Sequence, residues 1–342
     1  MRWQLSDVAA GSLFTIQFAG GLAGGAVSGA IAARVGAGPT LAVGHGLMAI
    51  GVATFAVAGH VAGAIGMAIA GVGLGFVIPT TNLMSAKLSP HRPAAALGAV
   101  NLCWGVGAAI WPLIVGSFGG RGMLDAVLLS TCVLLAALAL FVVRVPFPRD
   151  DADVRPKSGS PMPAAVRLAM FGTCIALYSG SEAAFGGWIT EYARRIGSDS
   201  GWEVAAAAFW GGVTAGRAAV AVWLARRMES ATLFLGLAVV FACLALVLIV
   251  PYGPLILPLS AICGLGLAPA FPVTVAALAH EFPARFAGPM VALGSAGAAV
   301  LPWLVGVVSD RTGSLTTGLT TLLVSIGILV GLHMVRVLGQ GR

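Results

Sequence analysis

Eleven stretches of twenty or more mainly apolar residues, separated only by short turn and charge signals, fill most of this 342-residue chain. They run over residues 8–33, 39–59, 62–87, 94–117, 122–144, 164–192, 203–225, 230–250, 254–279, 287–308 and 316–337. A helix of about 20 apolar residues crosses the hydrocarbon core of a bilayer. A water-soluble chain could not cover its surface from this material: 9% of the residues are charged, where a soluble domain has roughly 25%. In lipid the difficulty disappears, provided that every backbone polar group is satisfied inside a helix or a closed barrel. The expected fold is therefore an all-α membrane protein of about eleven spanning helices. The 48 glycines agree with it, because helices in lipid associate through close approach of small residues rather than through apolar burial.

One long polar, proline-rich segment interrupts the pattern. PFPRDDADVRPKSGSPMP, residues 146–163, reads as a flexible linker. It divides a bundle of five helices (1–145) from a bundle of six (164–342). If the linker is cytoplasmic, thirteen of the nineteen Lys and Arg residues fall on the cytoplasmic side, Arg34, Lys87 and Arg226 among them. Arg2, Arg121, Arg194, Arg195 and Arg311 fall on the opposite side, and Arg217 lies within a span. The rule that basic residues stay inside then puts the amino terminus on the far face.

The two bundles repeat each other. GVGLGFVIP (71–79) lies over GLGLAPAFP (264–272), setting Pro79 opposite Pro272, and AAIWPLIVG (108–116) lies over AAVLPWLVG (298–306), setting Pro112 opposite Pro302. At a matching offset Gly24 pairs with Gly216 and Arg34 with Arg226. Parallel repeats of this kind enclose a site at their interface near the bilayer midplane. The helix at 164–192 should have a mate ahead of residue 1, so the first helix of the amino-terminal bundle is expected to be missing. A start codon placed too far downstream, a truncation and a genuine eleven-helix protein would each account for that.

Several function classes are excluded. A net charge of +7 could attract nucleic acid, but the basic residues are dispersed singly and form no patch. Cys103, Cys132, Cys174, Cys243 and Cys263 lie one per apolar segment without metal or redox spacing. The five histidines form no HExxH or triad arrangement, and the glycine strings contain no GKS or GKT. Neither an enzyme nor an ATP-driven pump is expected, and no cofactor or metal. The opening residues MRWQLSDVAA show no removable signal peptide.

Of the twelve acidic residues, Glu182 alone sits deep in a span. An unpaired carboxylate there costs several kcal/mol, which makes such a residue a functional candidate by default. It lies in SGSEAAFGG, whose Gly180, Gly186 and Gly187 could loosen the helix toward a cavity. Glu182 could accept hydrogen bonds from sugar hydroxyls, take up a coupling proton, or merely bond a neighbouring helix. Arg217, within roughly a turn of the same depth by helical rise, could pair with it or reach for the cytoplasm. Asn101, Trp104 and Ala108 share a helical face; Asn82 follows Pro79 by three residues; Gln17 shares a face with Gly21, Gly24 and Ser28. Amides beside indoles suit a sugar, which offers hydroxyls to polar groups and C–H faces to rings. The alternative for each is an interhelical bond or an interfacial aromatic belt, the reading expected for Tyr192 and Trp202.

GVGLGFVIPTTN (71–82), NLCWGVGAAIWP (101–112), LYSGSEAAFGGWITEY (177–192), FWGGVTAGR (209–217) and GLGLAPAFP (264–272), in that order, resemble the major facilitator superfamily, and within it the fucose, galactose and glucose transporter group. The resemblance implies two pseudo-symmetric bundles acting as a secondary transporter of the inner membrane. It implies a small polar solute, a hexose or related sugar, with coupling to H+ or Na+ or to neither, and a monomer. It adds Tyr178, Trp188 and Trp210 to the expected site, and Arg34 with its repeat mate Arg226 to a gating loop. GAIAARVGAG (29–38) departs from the family loop, with Ala33 where an Asp and Ala37 where a second Arg would stand. A drug or metabolite exporter of the same superfamily, and a non-transporting or degenerate membrane protein, are the alternatives.

Overall fold

The computed structural model describes residues 3–88, 93–119, 121–147, 163–196, 202–223, 229–250, 253–282 and 287–340. Most of the 146–163 linker, and Arg226, lie outside the described residues. Everything regular that is described is helical. The first five helices are α1 (Asp7–Val35), α2 (Ala37–Val57), α3 (His60–Leu88), α4 (Pro93–Gly119) and α5 (Leu124–Val142). Then follow α6 (Ala164–Arg195), a 3-10 turn at Trp202–Val204, α7 (Ala205–Trp223), α8 (Glu229–Ile249), α9 (Gly253–Leu267), α10 (Ala270–Glu281), α11 (Ala287–Thr312) and α12 (Leu315–Gln340).

Among the described residues, ten helical stretches are long and apolar enough to cross a membrane, with α9 and the start of α10 forming one of them, Gly253–Val275. The expected eleventh, α7, is not among the ten; Gly211, Gly212, Thr214, Gly216 and Arg217 occupy its middle. The span expected to run unbroken over 254–279 is divided at Ala268–Pro269. Proline has no N–H and its ring meets the carbonyl four residues back. At the repeat-related place in α3 stands Phe76, and α3 continues straight through, Pro79 included.

Glycines bring the helices together, and they do so twice over. A Cβ on Gly20 or Gly24 of α1 would strike the carbonyls of Ala68 and Val72 in α3; a Cβ on Gly212 or Gly216 of α7 would meet the carbonyls of Ala261 and Leu265 in α9. Gly71 lies on the Gln17 carbonyl as Gly264 lies on that of Phe209, and Gly44 meets Gly73 as Gly236 meets Gly266. Each pair in one bundle is the other displaced by the repeat, so the duplicated sequence builds the same backbone contacts in both.

The bundles meet along two seams. α1 packs on α11, where Gly11 lies against Pro302 and Trp303, Thr15 Oγ1 donates to the Ala299 carbonyl at 2.7 Å, and Gly306 admits the backbone of Asp7. α4 packs on α7, where Gly105 receives the Thr214 side chain.

Candidate functional site

α6 carries Glu182 into the interior, where it is 8% exposed. The helix is unbroken from Ala164 to Arg195, so its glycines do not open it as expected. They act as contact points: Gly180 lies against the Gly297 backbone, Gly186 against the Trp210 ring and Gly187 against the Phe14 ring. With no side chain in the way, α7 and α11 approach closely enough for Arg217 to reach across.

Arg217 Nη2 donates to Glu182 Oε1 at 2.8 Å and to Tyr178 Oη at 2.9 Å. Tyr178, one turn before Glu182, donates its hydroxyl proton to the same Oε1 at 2.6 Å. Tyr178 is 2% exposed and rests on Phe271, ring centroids 5.7 Å apart. A buried pair of opposite charges is neutral as a unit, whereas removal of one partner costs about 3–5 kcal/mol because the other is stranded.

Trp104 closes the cluster from the amino-terminal bundle. Its ring lies 5.1 Å from the Arg217 guanidinium and edge-on to Trp210 at 5.3 Å. Trp210 continues into Phe209 at 5.1 Å, and Phe209 into Phe185 at 4.9 Å. α4, α6 and α7 thus converge on an ion pair walled by two indoles, where the two bundles touch. Arg217 Nε is buried with no hydrogen-bond partner among the described residues.

Other expected residues lie elsewhere. Trp188 is 4% exposed and donates its indole N–H to the Pro302 carbonyl at 3.0 Å, pinning α6 to α11. Asn101 lies half-buried one turn before Trp104, and Asn82 half-buried one turn beyond Pro79. Gln17 sits where α1 meets Gly71 of α3; among the described residues no hydrogen bond ties Gln17 or Asn82 to the Glu182 cluster. Arg34 is exposed in the last turn of α1 and makes no ion pair among the described residues. Tyr192 is not an interfacial belt residue: it is 1% exposed and donates to the Val247 carbonyl at 2.9 Å. Trp202 is half-buried at the mouth of a cleft shared with Gln4, Thr190, Glu191 and Arg194.

A second polar cluster escapes the sequence reading. At the end of the bundle opposite Arg34, Asp7 of α1 meets Arg195 of α6 and Ser309 of α11, and Asp310 of α11 meets the start of α1. The one signal for it is Arg194–Arg195, a basic pair on the face where basic residues are scarce.

The sequence over residues 3–293 matches the profile of the Major Facilitator Superfamily. The chain belongs to the major facilitator superfamily. It is a multi-pass membrane protein of a transporter fold, and solved structures agree. The nucleoside transporter NupG, solved as a point mutant, is similar with a TM-score of 0.73 at 14% identity, over 97% of this chain and 91% of that one. A D-xylose-proton symporter is similar with a TM-score of 0.70 at 16% identity, over 96% and 87%. The E. coli fucose:proton symporter FucP, also a point mutant, follows with 0.61 at 15%, over 96% and 97%. No curated protein matches the sequence.

Proposed function

We propose that this superfamily member carries a small polar solute, a hexose or related sugar, by alternating access, as a monomer in the inner membrane with the 146–163 linker cytoplasmic. The observation that carries the reading is the Glu182–Tyr178–Arg217 cluster beneath Trp104 and Trp210, at the contact of the two bundles. A sugar needs hydrogen-bonding groups beside flat aromatic faces. Glu182 offers acceptor oxygen, Arg217 a buried Nε–H donor that no described residue accepts, and the two indoles the faces. Trp104 stands on α4 while its partners stand on α6 and α7, so rocking one bundle against the other opens or closes this box around a solute. Glu182 is also the carboxylate placed to carry a proton if transport is proton-coupled, and the solved structures of similar fold include proton symporters for xylose and fucose. Asn82, Asn101 and Gln17 are further polar groups of the amino-terminal bundle that a solute could meet as the bundles rock.

The test is uptake of labelled hexoses, pentoses and a nucleoside into proteoliposomes holding the purified chain, with and without an imposed proton or sodium gradient. Saturable uptake of a sugar is expected, and Glu182→Gln should remove any accumulation driven by the gradient. Uptake of none of these solutes would end the reading. A second reading, a membrane protein without transport activity, is favoured by one observation: 6% of the residues in the most apolar stretches of α4 and α5 are buried, against 50% and 39% in their repeat mates α11 and α12. The same uptake measurement separates the two.

A further inference from the structure

We propose that Asp7, Arg195 and Asp310 form a latch that holds the non-cytoplasmic end of the molecule shut and sets how often that end opens. The proposal rests on the two-state reading above, and the experiment below separates the failure of one from the failure of the other.

The first turn of α1 supplies the starting point. A helix start leaves four backbone N–H groups without partners inside the helix. Ser6 Oγ accepts from Ala9 N at 3.3 Å, within the chain's own cap. The N–H groups of Asp7 and Val8 instead donate to Asp310 Oδ1 at 3.1 Å and Oδ2 at 3.0 Å. Asp310 lies in α11, about three hundred residues away and in the other bundle. Its negative charge sits at the positive end of the α1 dipole, where an anion is favoured. The cap of this helix is therefore borrowed from the partner bundle.

Asp7 returns the connection. Its carboxylate accepts from Arg195 Nη1 at 2.8 Å and Nη2 at 2.5 Å, a two-pronged pair, and from Ser309 Oγ at 2.6 Å. Such forked, charge-assisted bonds have strict geometry and are about twice as strong as neutral ones. The Asp7 side chain keeps only 11% of its exposure, so water competes little. Arg195 is held in turn by Glu191, one helical turn earlier, at 2.7 Å. Glycines make the approach possible: a Cβ on Gly306 would collide with the Asp7 carbonyl, and one on Gly11 would press on Pro302.

Further along α1 the described contacts with α11 carry no charge. Thr15 donates to Ala299 at 2.7 Å, and a Cβ on Gly21 would stand 3.8 Å from Ser295 Oγ, in ordinary contact. Among the described residues, the polar contacts that tie α1 to the other bundle gather at the Asp7 end. Opening the clamped end must break the Arg195 fork, the Ser309 bond and both cap bonds together. Among the described residues Arg194, the neighbour of Arg195, bonds Glu191 on its own helix and crosses no seam.

The test uses the full chain in lipid nanodiscs, with its five cysteines replaced and spin labels at Gly59→Cys and Thr317→Cys. Both sites are exposed at the Asp7 end, one in each bundle, and a side chain at Gly59 meets open space. Electron–electron resonance should find mainly the short distance in the parent. Asp7→Asn and Asp310→Asn should each raise the ratio of long to short distances about tenfold, the consequence of losing hydrogen bonds to a charged group. Arg195→Lys, which keeps the charge and loses the fork, should fall between, and Arg194→Gln should leave the ratio unchanged. Two populations in fixed ratio across the variants would overturn the latch and leave rocking intact. A single unchanging distance in every variant would overturn both, while an Arg194→Gln shift equal to that of Asp7→Asn would overturn the latch alone. Should an asparagine variant fail to fold, Arg195→Lys against Arg194→Gln decides the matter.

Discussion

α4 and α11 carry nearly the same residues around their prolines, yet they live in different surroundings. In α11 a Cβ on Gly297 would drive into the carbonyl of Ala176, because α6 lies backbone to backbone against it. Gly107 is the repeat mate of Gly297, and a Cβ there meets nothing within 4 Å among the described residues. The contrast runs along whole helices. In the most apolar stretches of α11 and α12, 50% and 39% of the residues are buried; in those of α4 and α5 the share is 6% each. α6 covers α11 and α12, and among the described residues no helix stands in the equivalent place against α4 and α5. A duplicated sequence can therefore issue the same packing instruction twice and have it used once, because a small residue stabilises a helix pair only when the second helix is there.

Lengthening the two glycines tests this most directly. Gly297→Leu forces a side chain into the α6 backbone and should destabilise the protein by about 3 kcal/mol or more, as overpacking against an unyielding neighbour does. Gly107→Leu should stay within about 0.5 kcal/mol of the parent. Thermal unfolding followed by size-exclusion in detergent measures both, and equal losses would break the comparison.

Next come substitutions at the ion pair, which draws its charges from one bundle and its lid from the other. Arg217→Met strands the Glu182 carboxylate and should cost about 3–5 kcal/mol, while the double change with Glu182→Leu should recover much of it. The absence of recovery would mean that the pair is not the unit described here. Trp104→Ala removes only a cation–π contact and some ring packing. A loss near ~1–2 kcal/mol is expected in the same unfolding assay, and a loss as large as that of Arg217→Met would show that the amino-terminal bundle contributes more than a lid.

The gentlest probe leaves the fold untouched. Cys103 on α4 is exposed, and Cys174 on α6 is 4% exposed. A small membrane-permeant maleimide should label Cys103 in the folded protein about ten times faster than Cys174 or more, since reactivity follows access. Similar rates would mean that α4 is covered in the membrane by something that the α11 side does not need.

Which parts of this were readable beforehand follows from the reach of each signal. Periodic apolar length located the spans within a few residues, because a helix in lipid satisfies its own backbone and needs no partner to exist. It gave the span at 254–279 but not its break at Ala268–Pro269, and it expected at 203–225 a span that α7 does not supply among the ten. Depth along a span brought Glu182 and Arg217 to attention, since charge in hydrocarbon is costly wherever it points. Depth could not say that Trp188 would turn its N–H to Pro302, or that the space beside Gly186 would be filled by the Trp210 ring, for both depend on the rotation of one helix against another.

The latch residues mark the boundary most sharply. Asp7, Arg195 and Asp310 look like ordinary polar ends of three unrelated helices, and no spacing within any of them distinguishes a solvated end from a clamped one. Local length, composition and internal repetition are enough to read from the amino-acid order a repeated set of membrane helices with one carboxylate deep in a span. Which glycines touch and which bundle lends α1 its cap emerge only from the packed helices, because contacts across hundreds of residues are set by helix rotation and close approach, to which a one-dimensional pattern is blind.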